Sequence, residues 1–287
     1  ADGDELAGDA GELRELRDSM LPSRQSAFRV IQRMTDEGRV PASAYAGLFN
    51  PGLTAGAVEL LLGNEMEARQ WFAESALAMT ISFSLVWKHQ EEIGRGSQLD
   101  LPIKAERALR TALLSADPHV IGGVTDNVRV LEESYVERYY GEKTRYYHFT
   151  GLAHLLQNEQ DAARTALLNL REAIGRNDQY LASELAQAYA DTLEGFLDDD
   201  VSLVQDAIDS LAIYNERYYA GDRRVTDIID HRACSFVILA HHRGMDIRVE
   251  NEYVPVTVQT IEWDSIGLPV DTPTALRELY EEAPMVD

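Results

Sequence analysis

Apolar residues recur at three- and four-residue spacing along most of the chain, which is the spacing of one face of an α-helix. From this pattern and its interruptions we predict about ten helices with short connections. Their expected ranges are residues 26–35, 43–62, 65–91, 105–114, 128–140, 145–157, 161–174, 177–196, 201–219 and 222–243. Strands do not alternate with helices, so a parallel α/β sheet is not expected.

Glycine and proline divide this pattern further. Asn50-Pro51-Gly52 predicts a turn within residues 43–62, because these residue types favour turn conformations. Asp117-Pro118 and Gly122-Gly123 predict a loop for the same reason, and so does the stretch 93–102. The breaks therefore predict that the second helical run is interrupted and that residues 117–123 are not helical.

The pattern changes after Gly244. Residues 247–261 are rich in β-branched and aromatic side chains with rough alternation, which predicts an extended segment or one short hairpin. Pro255 argues against a central strand, because proline has no N–H to donate to a neighbouring strand. A brief helix is expected at residues 273–282.

Two segments of the chain repeat each other. Residues 61–68 resemble residues 155–162: an apolar helix ends, a short Asn-Glu turn follows, and an alanine-rich helix begins. This is the helix–turn–helix logic of an α-solenoid. We therefore predict an all-α fold of stacked helical hairpins, similar to an α-solenoid or to tetratricopeptide repeats, with a short extended C-terminal segment. Residues 1–12 are expected to fray, and residues 13–287 to form one helical domain.

A second repeat joins tyrosine and arginine at the ends of two predicted helices, at residues 135–140 and 214–219. Side chains three and four residues apart share a helix face. The pattern is explained either by an aromatic and basic recognition edge or by tyrosine rings that are buried with their hydroxyls in water. Under the first interpretation the candidate partner-binding residues are Arg138, Tyr139, Tyr140, Arg217, Tyr218 and Tyr219.

Charge narrows the classes of partner. The chain has 26 Lys and Arg against 49 Asp and Glu, a formal net charge of -23, so nucleic acid and anionic membranes would be repelled. The lysines number only three, namely Lys88, Lys104 and Lys143. An acid excess with so little lysine is typical of proteins that function in very high salt, where salt screens the repulsion between carboxylates. A dedicated acidic binding face is the alternative.

The cysteine content and hydropathy suggest the compartment. Cys234 is the single cysteine, which excludes an internal disulfide and fits a reducing cytoplasm. No apolar run reaches 18 residues, so no membrane span is expected. The acidic segment 1–11 is the reverse of a signal or transit peptide. We therefore expect a cytoplasmic protein.

Motifs for chemistry are scarce. The sequence has no glycine-rich nucleotide motif and no Gly-x-Ser-x-Gly elbow. Asp227, His231 and Cys234 are spaced to share one helix face, with His241 or His242 two turns later, and zinc would need three or four such ligands to converge. The alternative is that Cys234 is an ordinary core residue. We expect no metal and no cofactor.

One part of the chain resembles a known family. Residues 214–219 form an aromatic helix end, a polar loop follows, the next helix ends at Arg243-Gly244, and the chain leaves through Tyr253-Val254-Pro255. This ordered set, over residues 214–255, resembles the C-terminal half of the immunity protein 49 family. The resemblance implies an all-helical antidote of a bacterial polymorphic toxin system.

The functional hypothesis follows from that resemblance. We expect a non-enzymatic protein-binding module that neutralises a toxin by occlusion, with a carboxylate-lined groove that complements a basic nuclease toxin. The first alternative is a general helical-repeat scaffold that binds a host protein or peptide. The second is a metal-dependent or acid/base hydrolase that uses His231, Cys234 and nearby acids.

Overall fold

The computed structural model describes residues 10–93, 98, 100–138, 143–176, 182–219 and 228–286. Over these residues the chain forms twelve α-helices, one short 3-10 helix and no strand, which confirms the all-α prediction. The helices are α1 (Ala10–Asp36), α2 (Ala42–Leu61), α3 (Glu65–Lys88), α4 (Leu101–Ser115), α5 (Pro118–Val128), α6 (Glu133–Arg138), α7 (Lys143–Leu156), α8 (Gln160–Gly175), α9 (Ser183–Asp198), α10 (Val201–Tyr219), α11 (His231–His242) and α12 (Thr274–Glu281).

Helices that follow each other in sequence pack against each other in space. The most extensive contacts join α2 to α3, α3 to α4, α1 to α2, α7 to α8 and α9 to α10. This arrangement confirms the stacked helical hairpins. Among the described residues, no helix is both long enough and apolar enough to cross a membrane.

The turn predicted at Asn50-Pro51-Gly52 is wrong, because α2 continues through these residues. Gly52 and Gly56 instead lie where α2 meets α3. A Cβ on Gly52 would overlap Ser75 Oγ, and a Cβ on Gly56 would lie 2.6 Å from the Phe72 ring. These glycines allow the two helices to approach closely, and burial of most of α2 outweighs the cost of an interior proline, about 3 kcal/mol.

This close approach gives a test with a matched control inside one helix. Replacing Gly56 by Ala should destabilise the protein by about 1–2 kcal/mol, since overpacking against Phe72 exceeds the gain in helix propensity. Replacing Gly47 by Ala should stabilise it by about 0.5–1 kcal/mol, because a Cβ there meets nothing within 4 Å. Denaturant unfolding of both variants measures the difference. Stabilisation by Gly56→Ala would contradict this packing.

The loop predicted at residues 117–123 is also wrong, because α5 begins at Pro118. Asp117 caps the helix: its Oδ1 accepts hydrogen bonds from the backbone N–H of His119 (2.8 Å) and of Val120 (3.2 Å). Proline at the first helical position suits such a start. Gly122 lies inside α5, where a Cβ would overlap the carbonyl oxygen of Pro284. Its role is to let the C-terminal segment pass over the helix.

The observed helix starts agree with the predicted ones at some positions and differ at others. The first helix begins at Ala10, inside the segment that we expected to fray, and residues 1–9 lie outside the described residues. Asp200 accepts a hydrogen bond from the Leu203 N–H at 3.0 Å and so caps α10. By contrast, α11 begins at His231 rather than at residue 222, and residues 220–227 are not described.

After Gly244 the described chain is irregular apart from a 3-10 helix, Val256–Thr260, and α12. It contains no strand up to residue 286, so the hairpin alternative is wrong. The buried Arg69 of α3 holds this C-terminal segment. Its guanidinium donates to the carbonyl oxygens of Ser115 (2.8 Å), Ala116 (3.1 Å) and Asp264 (3.0 Å). One side chain therefore joins α3, the end of α4 and the C-terminal segment.

Candidate functional site

The C-terminal end of α10 presents two of the predicted partner-binding residues to solvent. Arg217 is exposed, and the Tyr218 side chain is 68 % exposed. The ring of Tyr214 stacks on that of Tyr218, with centroids 6.0 Å apart and planes within 15°. Tyr218 is therefore held as a supported aromatic surface. We call Arg217 and Tyr218 the α10 tip.

The other predicted partner-binding residues cannot be placed in the same way. Tyr139 and Tyr140 lie outside the described residues. Arg138 ends α6 and Tyr219 ends α10, but the described features do not include their side chains. The repeat is not uniform, because Tyr135 is buried at 4 % exposure and donates to the Gln98 carbonyl oxygen. Burial of Tyr135 fits the packing interpretation, whereas the exposure of Tyr218 fits recognition.

A cavity of about 140 Å³ lies beside α10, and we call it the arginine cavity. Four elements converge on it: α2, α4, α10 and the start of α11. Its lining residues are Phe49, Asn50, Leu53, Arg107, Arg110, Asn215, Ile229, Asp230, His231 and Arg232. Three arginines and one carboxylate thus face one cavity in a chain with nearly twice as many acids as bases.

Arg107 stands at the exposed edge of this cavity. It forms no ion pair with any residue that the structure describes, and its guanidinium carbon lies 5.9 Å from the centre of the Phe49 ring. Partial desolvation and the nearby positive charge of Arg110 lower the pKa of Arg107. Both effects disfavour the charged form of the Arg107 guanidinium at this position.

The start of α11 supplies the cavity's buried polar groups. Asp230 Oδ1 accepts hydrogen bonds from the N–H of Arg232 (2.8 Å) and of Ala233 (3.2 Å), which caps the helix. Burial raises the pKa of Asp230 and lowers that of His231 to about 3, so the imidazole is neutral. Asp230 Oδ2 and Asn215 Nδ2 are buried and have no hydrogen-bond partner among the described residues.

Behind the cavity, Glu106 organises a buried polar cluster. Its carboxylate accepts hydrogen bonds from the Tyr189 hydroxyl (2.8 Å), from Arg145 (3.3 Å) and from Arg110 (3.5 Å). Burial by itself would raise the pKa of Glu106, but the arginines outweigh burial and lower it to about 2. His148 stacks on Tyr189 with ring centroids 3.9 Å apart, and burial lowers its pKa to about 4. The cluster fixes Arg110 from the core side.

An adjoining cavity of about 260 Å³ shares Phe49, Asn50 and Arg107 with the arginine cavity and adds Lys104. Burial lowers the pKa of Lys104. Three cations therefore recur along α4 at three-residue spacing, at Lys104, Arg107 and Arg110. Our sequence prediction missed this row, although regular basic spacing in so lysine-poor a chain was a readable signal.

The residues considered for metal binding do not converge where the structure describes them. Cys234 is buried, its thiol lies 3.7 Å from the Tyr253 carbonyl oxygen, and burial raises its pKa, which suits an inert core thiol. A His241 ring nitrogen lies 2.9 Å from the Ile247 carbonyl oxygen, and His242 stacks on Trp263. Asp227 is outside the described residues. Within the described part of the chain, no three His, Cys, Asp or Glu side chains are grouped to hold a metal ion.

Comparison with known proteins gives no relative: no family model, no curated protein and no solved structure matches the chain. The resemblance to the immunity protein 49 family accordingly stays a prediction.

Proposed function

We propose that this chain is a non-enzymatic binding protein that recognises a partner protein through the α10 tip. The observation that supports the proposal is the exposed ring of Tyr218, stacked on Tyr214 and adjacent to Arg217. Tyrosine and arginine are enriched among the residues that dominate interface energies. A ring already held by its neighbour also loses little conformational entropy on binding.

The resemblance over residues 214–255 gives this proposal its specific form, an immunity-type antidote that occludes a toxin. The net charge of -23 would steer a basic partner toward the chain. The carboxylate-lined groove that we expected for such a partner is not what lies beside α10, since that cavity is lined by arginines. We therefore assign contact with the toxin to the α10 tip and not to the cavity. The lone Cys234 fits a cytoplasmic location, which is part of the same proposal.

The test begins with the gene neighbourhood, where the antidote requires an adjacent toxin open reading frame. Binding to that toxin domain is then measured by calorimetry with purified proteins in molar potassium chloride. Tyr218→Ala and Arg217→Ala should each weaken the affinity about 30-fold, the effect of losing a hot-spot residue worth about 2 kcal/mol. Arg39→Ala is the matched control, because Arg39 is 62 % exposed on its side chain and lies in the α1–α2 connection. We expect its affinity to be unchanged.

Two outcomes would overturn the proposal. One is a toxin affinity that is the same for Tyr218→Ala as for the unmodified chain, and the other is no toxin binding at all. If the chain instead binds a host protein and the Tyr218 dependence remains, the α10 tip is a recognition surface and the scaffold alternative replaces the antidote.

A further inference from the structure

We propose that the arginine cavity is a binding site for a small oxyanion that also carries a hydroxyl group, such as a phosphorylated polyol or a hydroxy acid. This site is separate from the α10 tip and does not depend on a partner protein. Its ligand class follows from charge, from unsatisfied polar groups and from size.

Charge is the first step. Arg107 has no ion-pair partner among the described residues and shares a cavity with Arg110 and Arg232. Other buried arginines of the described structure pair with carboxylates, as Arg24 does with Glu74 at 2.6 Å. Arg107 thus stands at the mouth of a basic cavity without an ion pair to any residue that the structure describes. Arginine's planar fork of donors matches carboxylate and phosphate oxygens.

The unsatisfied groups refine the ligand. Asn215 is only 3 % exposed, and its Nδ2 donor has no described partner. Asp230 is 1 % exposed, and its Oδ2 acceptor is equally unsatisfied. Leaving such a group buried without a partner costs about 1–3 kcal/mol. A fully deprotonated anion such as sulfate could accept from Asn215 but could not donate to Asp230, whereas a hydroxyl on the ligand could.

Size excludes larger molecules. The cavity measures about 140 Å³, well below the roughly 300–1,000 Å³ of pockets for drug-sized ligands. A compact anion fits this volume. The adjoining cavity shares Arg107 and offers room for the remainder of a short molecule, where Lys104 lies beside the carboxylate of Asp100.

The experiment titrates the full chain with inorganic phosphate, glycerol 3-phosphate and malate by calorimetry, each in potassium chloride of matched ionic strength. We expect one saturable site, with glycerol 3-phosphate bound more tightly than inorganic phosphate, because its two carbon-borne hydroxyls add donors beyond the P–OH that inorganic phosphate carries near neutral pH. Binding of malate but of neither phosphate compound would identify a carboxylate ligand, and the reverse would identify a phosphoryl ligand. Either result supports the site.

Arg107→Gln should weaken binding at least tenfold. Because Arg107 is exposed and unpaired, this variant should keep its fold, which circular dichroism checks. Arg107→Lys, which keeps the charge but loses the fork, should bind with intermediate affinity. The matched control Arg39→Gln, at a residue that lines neither cavity, should bind like the unmodified chain. No saturable binding of any of the three probes, or equal affinity in Arg107→Gln, would overturn the proposal.

Discussion

Replacing Glu106 by Gln should destabilise the fold by about 3 kcal/mol, although the substitution changes almost nothing in shape. The carboxylate is 6 % exposed and accepts from Arg110, Arg145 and the Tyr189 hydroxyl. Gln keeps one acceptor oxygen for Tyr189, but its amide group presents N–H donors toward arginines that are donors themselves. Two guanidinium groups then lose their shared counter-charge.

The size of this effect depends on how deeply the arginines are buried. Removing one partner of a fully buried ion pair costs about 3–5 kcal/mol. The Arg110 and Arg145 side chains are 15 % and 23 % exposed, so water partly compensates them. This places the expected loss at the lower end of that range.

Chemical denaturation of Glu106→Gln and of the unmodified chain measures the loss. The matched control is Glu172→Gln, since Glu172 is 56 % exposed on its side chain and forms an i, i+4 pair with Arg176. That surface pair should be worth about 0.3–0.5 kcal/mol at most. Equal stability of the Glu106 and Glu172 variants would mean that the cluster contributes no more than a surface ion pair. Tyr189→Phe then separates the hydroxyl contact from the charge contacts.

The sequence pattern predicts the existence of most helices, and its failures have one physical cause. Residues 201–219 are helical as expected, because an uninterrupted apolar face specifies a helix locally. Gly52 and Gly122 were interpreted as turn residues but lie inside helices. Glycine favours a turn and also permits close approach of another chain segment, and only the tertiary neighbours Ser75 and Pro284 decide between these roles.

The candidate site was predictable only in part. The residues of the α10 tip follow from a local pattern, which left open whether their rings are buried or exposed. The spacing of Arg107 and Arg110 on α4 is local as well. Their convergence with Asn215 and Asp230 is not local, because more than 100 residues separate Arg110 from Asn215 and from Asp230. The spacing of residues within one helix does not indicate which distant helix its side chains will contact. The arginine cavity therefore needed the three-dimensional structure.

The second large effect concerns salt: the chain should unfold or expand at low ionic strength and recover its fold in molar potassium chloride. The formal net charge of -23 produces repulsion that acts over the whole molecule. The Debye length shrinks from about 10 Å at 0.1 M salt to about 3 Å at 1 M, so repulsion between surface carboxylates is largely removed.

Salt also weakens attractive pairs, and the balance decides the sign. Exposed pairs, such as Arg164 with Asp198 at 47 % exposure each, contribute about 0–1 kcal/mol and are readily screened. The buried pair of Arg24 with Glu74 and the contacts of Glu106 are shielded from salt by the protein around them. Salt thus screens the large repulsion between carboxylates and weakens only the exposed ion pairs, which contribute least. The free energy of unfolding should therefore rise with salt concentration.

Far-ultraviolet circular dichroism and thermal unfolding between about 0.1 and 3 M potassium chloride measure this dependence. Sucrose at matched water activity is the control, because it favours compact states by exclusion without screening charge. Recovery in potassium chloride but not in sucrose identifies screening as the cause. A flat response to potassium chloride would show that the carboxylate excess does not limit stability, and the surplus acids would then be better explained as a binding face for a basic partner.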